Sequence, residues 1–177
     1  MRRVRQILYC IGIVSAIVMI TGCAYEAAVQ QLPPAERTAL RVYSKIMSSG
    51  QVRTYLAKAT AAERAAYLNE IGIAQRFQAL DPQDREAVLA GYIREGMSAA
   101  ALRFLWGEPY YTTGYPGHYE YWFYQGSSFA LADYGSSASI SGGTKVQVSL
   151  IDGRVEWWLE YVEPHDEPGP NERERRH

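Results

Sequence analysis

The spacing of hydrophobic residues divides the chain into a helical half and a half that contains strands. Between residues 34 and 95, apolar residues recur three or four positions apart, as on one face of a helix. Helix starts are expected at Thr60, where Glu63 completes a capping box, and at Asp81, which a proline follows. Beyond residue 96, glycines, aromatic runs and alternating residues replace this pattern.

The second half predicts one short helix and three strands. Ser98 is a suitable N-cap residue for the helix, which Gly107 ends. The segment 110–118 is rich in Tyr, Gly and Pro and is expected to be a loop. The Gly- and Ser-rich segment 126–143 is expected to be a long connection. The predicted fold class is therefore α+β, with a helical half followed by a short helix and a three-stranded antiparallel sheet.

The dipeptide Asp152-Gly153 predicts a tight hairpin between the last two strands. Regular pairing outward from this turn places Val148 opposite Trp157. Trp157 is then expected on the core face and Trp158 on the polar face, because neighbouring residues of a strand point to opposite sides.

The N-terminal residues have the pattern of a secretory signal peptide. Three arginines lie within the first five residues, and an apolar run follows from residue 7 to residue 20. This run is too short to cross a ~30 Å hydrocarbon core, which needs roughly 20 residues. The sequence Ile20-Thr21-Gly22-Cys23 resembles the bacterial lipobox, whose cysteine is diacylated and becomes the new N-terminus. In the same sorting pattern, Ala24 favours the outer membrane.

These patterns predict five segments. They are a signal peptide at 1–22, a lipidated tether at 23–33, a helical region at 34–95, an α-β-β-β unit at 96–162 and a disordered tail at 163–177. Loss of the signal peptide changes the formal net charge from −1 to −4. A net negative charge provides no excess of basic residues to bind a phosphate backbone, so nucleic acid is not an expected partner. Only Cys23 then remains as a cysteine, and it is acylated, so no disulfide is expected.

A series of short motifs carries a family resemblance over residues 95–162. They are Gly96-Met97-Ser98, Trp106-Gly107-Glu108-Pro109, Glu120 with Trp122 and Tyr124, Val146 to Leu150, Asp152-Gly153-Arg154-Val155 and Trp158. This set resembles the SmpA/OmlA (BamE) family of lipoproteins. The resemblance implies a short helical unit on a three-stranded antiparallel sheet, in a non-catalytic accessory of the outer-membrane barrel-assembly machine. The helical half before Gly96 departs from that family.

A weaker similarity involves the helical half. Its motifs are Glu63-Arg64, Leu80-Asp81-Pro82, Arg85-Glu86 and, later in the chain, Tyr119-Glu120-Tyr121-Trp122. They are similar to GWxTD-domain proteins, although the Gly-Trp-x-Thr-Asp signature itself is absent. This similarity adds an expectation about architecture and none about mechanism.

The titratable residues do not form a recognisable catalytic pattern. His118 lacks a serine in a nucleophile-elbow context. Glu156 and Glu160 lie about 13 Å apart along a strand, farther than the roughly 5–10 Å of a glycosidase pair. Histidine spacings typical of metal sites are absent from the sequence. The expectation is a protein that is not an enzyme and has no cofactor and no metal.

Aromatic residues are the unusual feature, at 12% of the chain. Of the two aromatic sets on the strand from residue 119 to 124, one must pack inward. The other is either covered by the helical half or exposed as a binding patch. The candidate partner-binding residues are Trp122, Tyr124, Trp158, Tyr110 and Tyr111.

Two functions remain open at this stage. The leading hypothesis is a lipid-anchored accessory protein of the outer membrane, facing the periplasm and contacting another envelope protein. The second is a periplasmic module that binds a small ligand or glycan through the Tyr-rich loop 110–119.

The lipobox makes a direct prediction for Cys23→Ser. Without the thiol that receives the lipid, the variant should accumulate as an uncleaved or soluble periplasmic product. Palmitate labelling and membrane fractionation measure this. Unchanged labelling of the variant would contradict the lipobox assignment.

Overall fold

The computed structural model describes residues 25–135 and 143–162. The predicted signal peptide, the predicted lipidation site Cys23, residues 136–142 of the expected long connection and the tail expected from residue 163 lie outside these ranges. The chain divides into two compact units, residues 1–40 and 41–177. Residues 25–30, within the segment expected to be a tether, are helical, and Gln30 there donates a hydrogen bond to Glu26.

The fold is α+β, as predicted. Besides the helical residues 25–30, seven helices lie within the described ranges. They are α1 (Pro34–Tyr43), α2 (Ser49–Leu56), α3 (Ala61–Glu70), α4 (Ile73–Gln78), α5 (Pro82–Ala90), α6 (Ala99–Trp106) and α7 (Ser128–Tyr134). The strands are β1 (Tyr111–Tyr115), β2 (Tyr119–Gln125), β3 (Thr144–Ile151) and β4 (Arg154–Val162). They form one antiparallel sheet in the order β1-β2-β3-β4.

Both predicted helix starts are confirmed. The Thr60 hydroxyl accepts a hydrogen bond from the Glu63 amide at 3.2 Å, and the Glu63 carboxylate accepts one from the Thr60 amide at 2.9 Å. The Thr60 amide and then the Thr60 hydroxyl, which also donates to the carboxylate at 3.1 Å, stabilise its charged form and lower the pKa of Glu63. Asp81 caps α5 by accepting a hydrogen bond from the Gln83 amide at 2.9 Å, and Pro82 begins the helix.

The sheet has four strands, so the expectation of three strands is corrected. The additional strand, β1, lies in the segment expected to be a loop. Gly114 adopts a φ of 106° there, and a Cβ at this position would lie 2.2 Å from the Tyr119 carbonyl oxygen. Gly117 forms the turn to β2, with a φ of 75°. The Tyr-, Gly- and Pro-rich segment therefore forms a strand and a hairpin turn. Composition alone does not distinguish such a segment from a loop.

The expected long connection at 126–143 also contains structure. Helix α7 begins after Ser127, whose hydroxyl accepts a hydrogen bond from the Ala130 amide. The carboxylate of Glu160 on β4 accepts hydrogen bonds from the Ser128 amide and hydroxyl, at 2.9 and 2.8 Å. The N-cap serine was a local signal for this helix, but its contact with β4 exists only in the folded chain.

The hairpin turn is confirmed, whereas the register beyond it is not. Asp152 and Gly153 have φ values of 50° and 71°, as a type I′ turn requires. Leu150 pairs with Val155 as expected, but a β-bulge follows, and Trp157 pairs with Ser149. The expected pairing of Trp157 with Val148 is therefore wrong, because Glu156 is an extra residue on β4.

Helix α6 covers one side of the sheet, which we call the inner face. The rings of Trp106 and Tyr124 meet edge to face at 5.3 Å, and the Arg103 guanidinium lies 4.3 Å from the centre of the Trp122 ring. The largest buried side chains of α6 and of the inner face are Leu102, Phe104, Leu105, Trp106, Trp122, Tyr124 and Leu150. This layer is the hydrophobic core beneath the sheet.

A buried ion pair joins α5 to the start of α6. Asp84 has no exposed surface, and its carboxylate accepts hydrogen bonds from the Arg94 guanidinium and, at 3.0 Å, from the Ser98 amide. A buried carboxylate is costly unless it is fully paired. These two donors therefore hold the N-terminus of α6 in one position relative to α5.

The turn geometry makes a prediction for Gly153→Val. A Cβ at Gly153 would meet no atom within 4 Å, so only the positive φ opposes a side chain. Valine should lower the free energy of unfolding by about 1 kcal/mol or more, since β-branched residues resist this region. Gly153→Asn is the matched control and should cost less, because asparagine tolerates positive φ.

Urea denaturation of both variants measures the difference. Equal stability of Gly153→Val and the native protein would contradict the type I′ geometry.

Candidate interaction surface

The side of the sheet opposite α6, which we call the outer face, consists mainly of large apolar side chains. Directly paired residues of antiparallel strands point to the same side, so the register identifies its members. Its large apolar members are Tyr111, Tyr115, Tyr119, Tyr121, Phe123, Ile151, Trp157, Leu159 and Tyr161. The register places Thr113, Gln125, Lys145, Gln147, Ser149 and Arg154 on the same side. The outer face thus includes aromatic residues from β1, β2 and β4.

The rings of the outer face contact one another across the strands. Tyr111 and Phe123 have centroids 5.6 Å apart, and Tyr119 and Tyr121 have centroids 4.9 Å apart with their hydroxyls hydrogen-bonded. The centroids of Tyr121 and Trp157 lie 6.0 Å apart. Such contacts restrain the rings, so that the outer face presents an ordered surface.

A small residue on β3 permits the last of these contacts. Ser149 lies between Tyr121 and Trp157 in the same cross-strand row and is fully buried. Its hydroxyl donates a hydrogen bond to the Glu156 carboxylate at 3.2 Å, so the buried polar group is paired. The outer face therefore continues from β2 to β4 over the intervening strand.

The outer face is substantially exposed. Tyr115 retains 77% of its accessible surface, Tyr111 56%, Leu159 55% and Trp157 39%. Helices α6 and α7 contact the inner face instead, through Tyr124 and Glu160. Of the two alternatives for the second aromatic set, the exposed patch agrees with the structure.

The structure separates the five residues expected to bind a partner. Trp122 and Tyr124 are 2% and 0% exposed on the inner face. Their assignment as contact residues is corrected, because α6 packs on this side. Trp158 lies on the inner face opposite Val148, since the bulge reverses the expected orientation, but it is 38% exposed, and its role as a contact residue stays a prediction. Tyr110 is exposed beside Lys145. Tyr111 is the one member of this set that belongs to the outer face.

Sequence reasoning missed several members of the outer face. Tyr115 lies in the segment expected to be a loop, and regular pairing predicts the core face for Trp157 and, by alternation, for Leu159. Alternation along β2 did place Tyr119, Tyr121 and Phe123 on one side of the sheet. For Trp157 and Leu159, by contrast, no local signal marks the bulge at Glu156.

The buried Trp122 also makes a hydrogen bond at the edge of the core. The Trp122 indole donates a hydrogen bond to the Glu120 carboxylate at 2.9 Å, and the Gly117 amide donates another at 2.9 Å. These donors, the Gly117 amide first, lower the pKa of Glu120. As the acceptor of both hydrogen bonds, the Glu120 carboxylate therefore links the β1–β2 turn to Trp122 on the inner face.

The titratable groups near this surface include one exposed pair. Nδ1 of His118 lies 3.3 Å from the Asp152 carboxylate, and both side chains are largely exposed. Within residues 25–135 and 143–162, no group of three or more His, Cys, Asp or Glu side chains could hold a metal ion. Burial, together with the charge of Arg41, lowers the pKa of Lys45 to about 8. Its ammonium donates to the Leu131 carbonyl of α7, which is a structural contact.

Comparison with known proteins identifies no relative. No family model, no curated protein and no solved structure matches the chain. Among the helices of the described ranges, none is long and apolar enough to cross a membrane. Function is therefore inferred from the chain's own surface.

The two faces of the sheet predict different costs for tryptophan truncation. Trp122→Ala should lower the free energy of unfolding by about 3–5 kcal/mol, the usual range for a large buried aromatic. Trp157→Ala should cost clearly less, because 39% of this side chain is already exposed. Chemical denaturation of the two variants measures both values. A loss at Trp157 equal to that at Trp122 would show that the outer face is part of a core.

Proposed function

We propose that this protein is a non-catalytic accessory lipoprotein of the outer membrane that binds another envelope protein through its outer face. In this proposal, Cys23 carries the lipid anchor and the folded part faces the periplasm. The lipobox resemblance supports the anchor. The exposed aromatic outer face supports protein binding, and it is the observation that carries the proposal.

The chemistry of the outer face fits a protein partner. Contiguous exposed apolar patches mark interaction sites, and Tyr and Trp are enriched in protein interfaces. The ring contacts of Tyr121 with Trp157 and of Tyr111 with Phe123 order these side chains before binding. Ordering in advance lowers the entropic cost of association. The expected partner therefore presents an apolar centre, with polar groups that reach the tyrosine hydroxyls.

The BamE resemblance suggests a class of partner. It covers residues 95–162, which contain α6 and the whole sheet. We propose that the partner belongs to a barrel-assembly complex, as the resemblance implies. The helices before residue 95 lie outside that resemblance and have no assigned partner in this proposal.

Glycan binding is a second candidate, supported by two exposed tyrosines of the outer face. Tyr111 and Tyr115 lie within the segment 110–119 and are 56% and 77% exposed on that face. Their rings offer surfaces on which a sugar ring could stack. A protein partner is preferred because the aromatic surface extends beyond this segment to Trp157 and Leu159 on β4.

Photo-crosslinking at matched tyrosines tests the proposal. A photoreactive phenylalanine analogue at Tyr115 should form an adduct with one envelope protein in intact cells. The same analogue at Tyr134 is the control, because Tyr134 has a similar exposure, 70% against 77%, but belongs to α7. An adduct at Tyr115 and none at Tyr134 is the expected result.

The other outcomes separate the two candidates. If the purified protein binds isolated peptidoglycan, and Tyr115→Ala with Tyr111→Ala removes this binding, the glycan function is supported. Equal adducts at both tyrosines, or none at Tyr115, would contradict a protein-binding outer face. Circular dichroism of the double variant checks that the fold is retained, as expected for side chains this exposed.

A further inference from the structure

The outer edge of β4 is paired at its beginning and open afterwards. The Gly96 amide donates to the Val155 carbonyl at 2.7 Å, and the Val155 amide donates to the Met97 carbonyl at 2.8 Å. Ser98 forms a bridge with Arg154. Beyond Glu156, no residue of the described ranges pairs with this edge through its backbone. Within the described ranges, the outward backbone donors and acceptors of the segment Trp157–Val162 are therefore unpaired.

This open segment, which we call the β4 edge, has few of the features that normally prevent strand pairing. A β-bulge precedes it at Glu156, and its one charged residue is Glu160, whose carboxylate accepts hydrogen bonds from the Ser128 amide and hydroxyl. The β4 edge contains Trp, Leu, Tyr and Val but no lysine, glycine or proline. The opposite edge of the sheet, β1, is shorter, contains Gly114 at a φ of 106° and ends before Pro116. Glycine and proline both disfavour strand addition. Of the two edges, β4 is the better template for another strand.

We propose that the β4 edge pairs with the same segment of a second copy of this chain. The two segments run antiparallel around a two-fold axis that passes beside Leu159. The two four-stranded sheets then form one continuous sheet. Such an interface is isologous, because the same residues contribute from both copies.

Strand length and the charge pattern together select Leu159 as the centre of the pairing, since a centre at Tyr161 would pair only Glu160–Val162 within β4. With Leu159 opposite its own copy, Trp157 lies opposite Tyr161, and Glu160 lies opposite Trp158. A centre at Trp158 would place Glu156 opposite Glu160, and a centre at Glu160 would place two glutamates opposite each other. Like charges directly opposite each other are destabilising. Pairings between these centres are excluded because they would join residues of opposite faces.

The same register also matches apolar surfaces. Leu159 and Trp157 are 55% and 39% exposed, and on the outer face they would meet Leu159 and Tyr161 of the second copy. Pairing therefore buries apolar side chains and satisfies backbone groups at once. This inference does not depend on the proposed envelope partner, whose test uses Tyr115 on the opposite edge strand.

Cysteine crosslinking in the full chain tests the register. Leu159→Cys should form a disulfide-linked dimer on oxidation, because the two residues face each other. Trp157→Cys alone should form none, since its own counterpart lies about 13 Å away along the strand, whereas a disulfide needs Cα atoms within about 7 Å. Co-expressed Trp157→Cys and Tyr161→Cys should form a mixed disulfide. The native chain, with Cys10 and Cys23, provides the background.

A charge variant tests the edge without a covalent bond. Leu159→Lys should shift the detergent-solubilised protein from dimer to monomer in light scattering, because two lysines would face each other. Gln147→Lys is the matched control and should remain dimeric. It adds the same charge on the same face, opposite Leu159 but on the interior strand β3.

Each contrary result overturns a defined part of the inference. A folded native chain that is monomeric, with no disulfide at Leu159→Cys, rejects the second copy. A Leu159→Cys disulfide only to a different protein also rejects it and assigns the edge to a foreign strand. A Trp157→Cys homodimer without a Leu159→Cys homodimer rejects the register. If Leu159→Lys fails to fold by circular dichroism, the crosslinking series, which introduces no charge, decides the inference.

Discussion

The arrangement of β4 depends on the hydrogen bonds that hold Val155 to the segment before α6. Val155 lies opposite Leu150 on β3, and its amide and carbonyl bond to Met97 and Gly96 on the other side. A shift of Val155 along the sheet would break both of these bonds, and the irregularity lies at the next residue, Glu156. The resulting bulge determines the side of the sheet on which every later residue of β4 lies.

The two faces of the sheet use aromatic residues for different purposes. On the inner face, Trp122 and Tyr124 contact α6 and contribute to the core. The buried Asp84 fixes the start of that helix, so the core has one defined geometry. On the outer face, the rings contact each other and remain exposed. A rigid core beneath an exposed aromatic layer is suited to binding, because little order has to be created when a partner arrives.

The two proposals assign different parts of the sheet. The outer face is the proposed site of an envelope partner, and its most exposed ring, Tyr115, lies on β1. The β4 edge is the proposed site of a second copy. Pairing of two copies would extend the outer face across both sheets, so each partner would meet a surface larger than one chain provides. Both roles follow from exposed apolar groups held on a hydrogen-bonded scaffold.

Local patterns in the sequence determined the α+β class, the capping box of Thr60 and the turn at Asp152-Gly153, because each depends on residues close together in the chain. Alternation likewise placed the residues of β2 on two faces. The tertiary structure decided which of those faces is covered, since that depends on where α6 packs. It also decided the register of β4: the bonds of Val155 come from residues 96 and 97, far away in the chain. The position of Trp157 on the outer face therefore depends on the register of β4, which local periodicity does not contain.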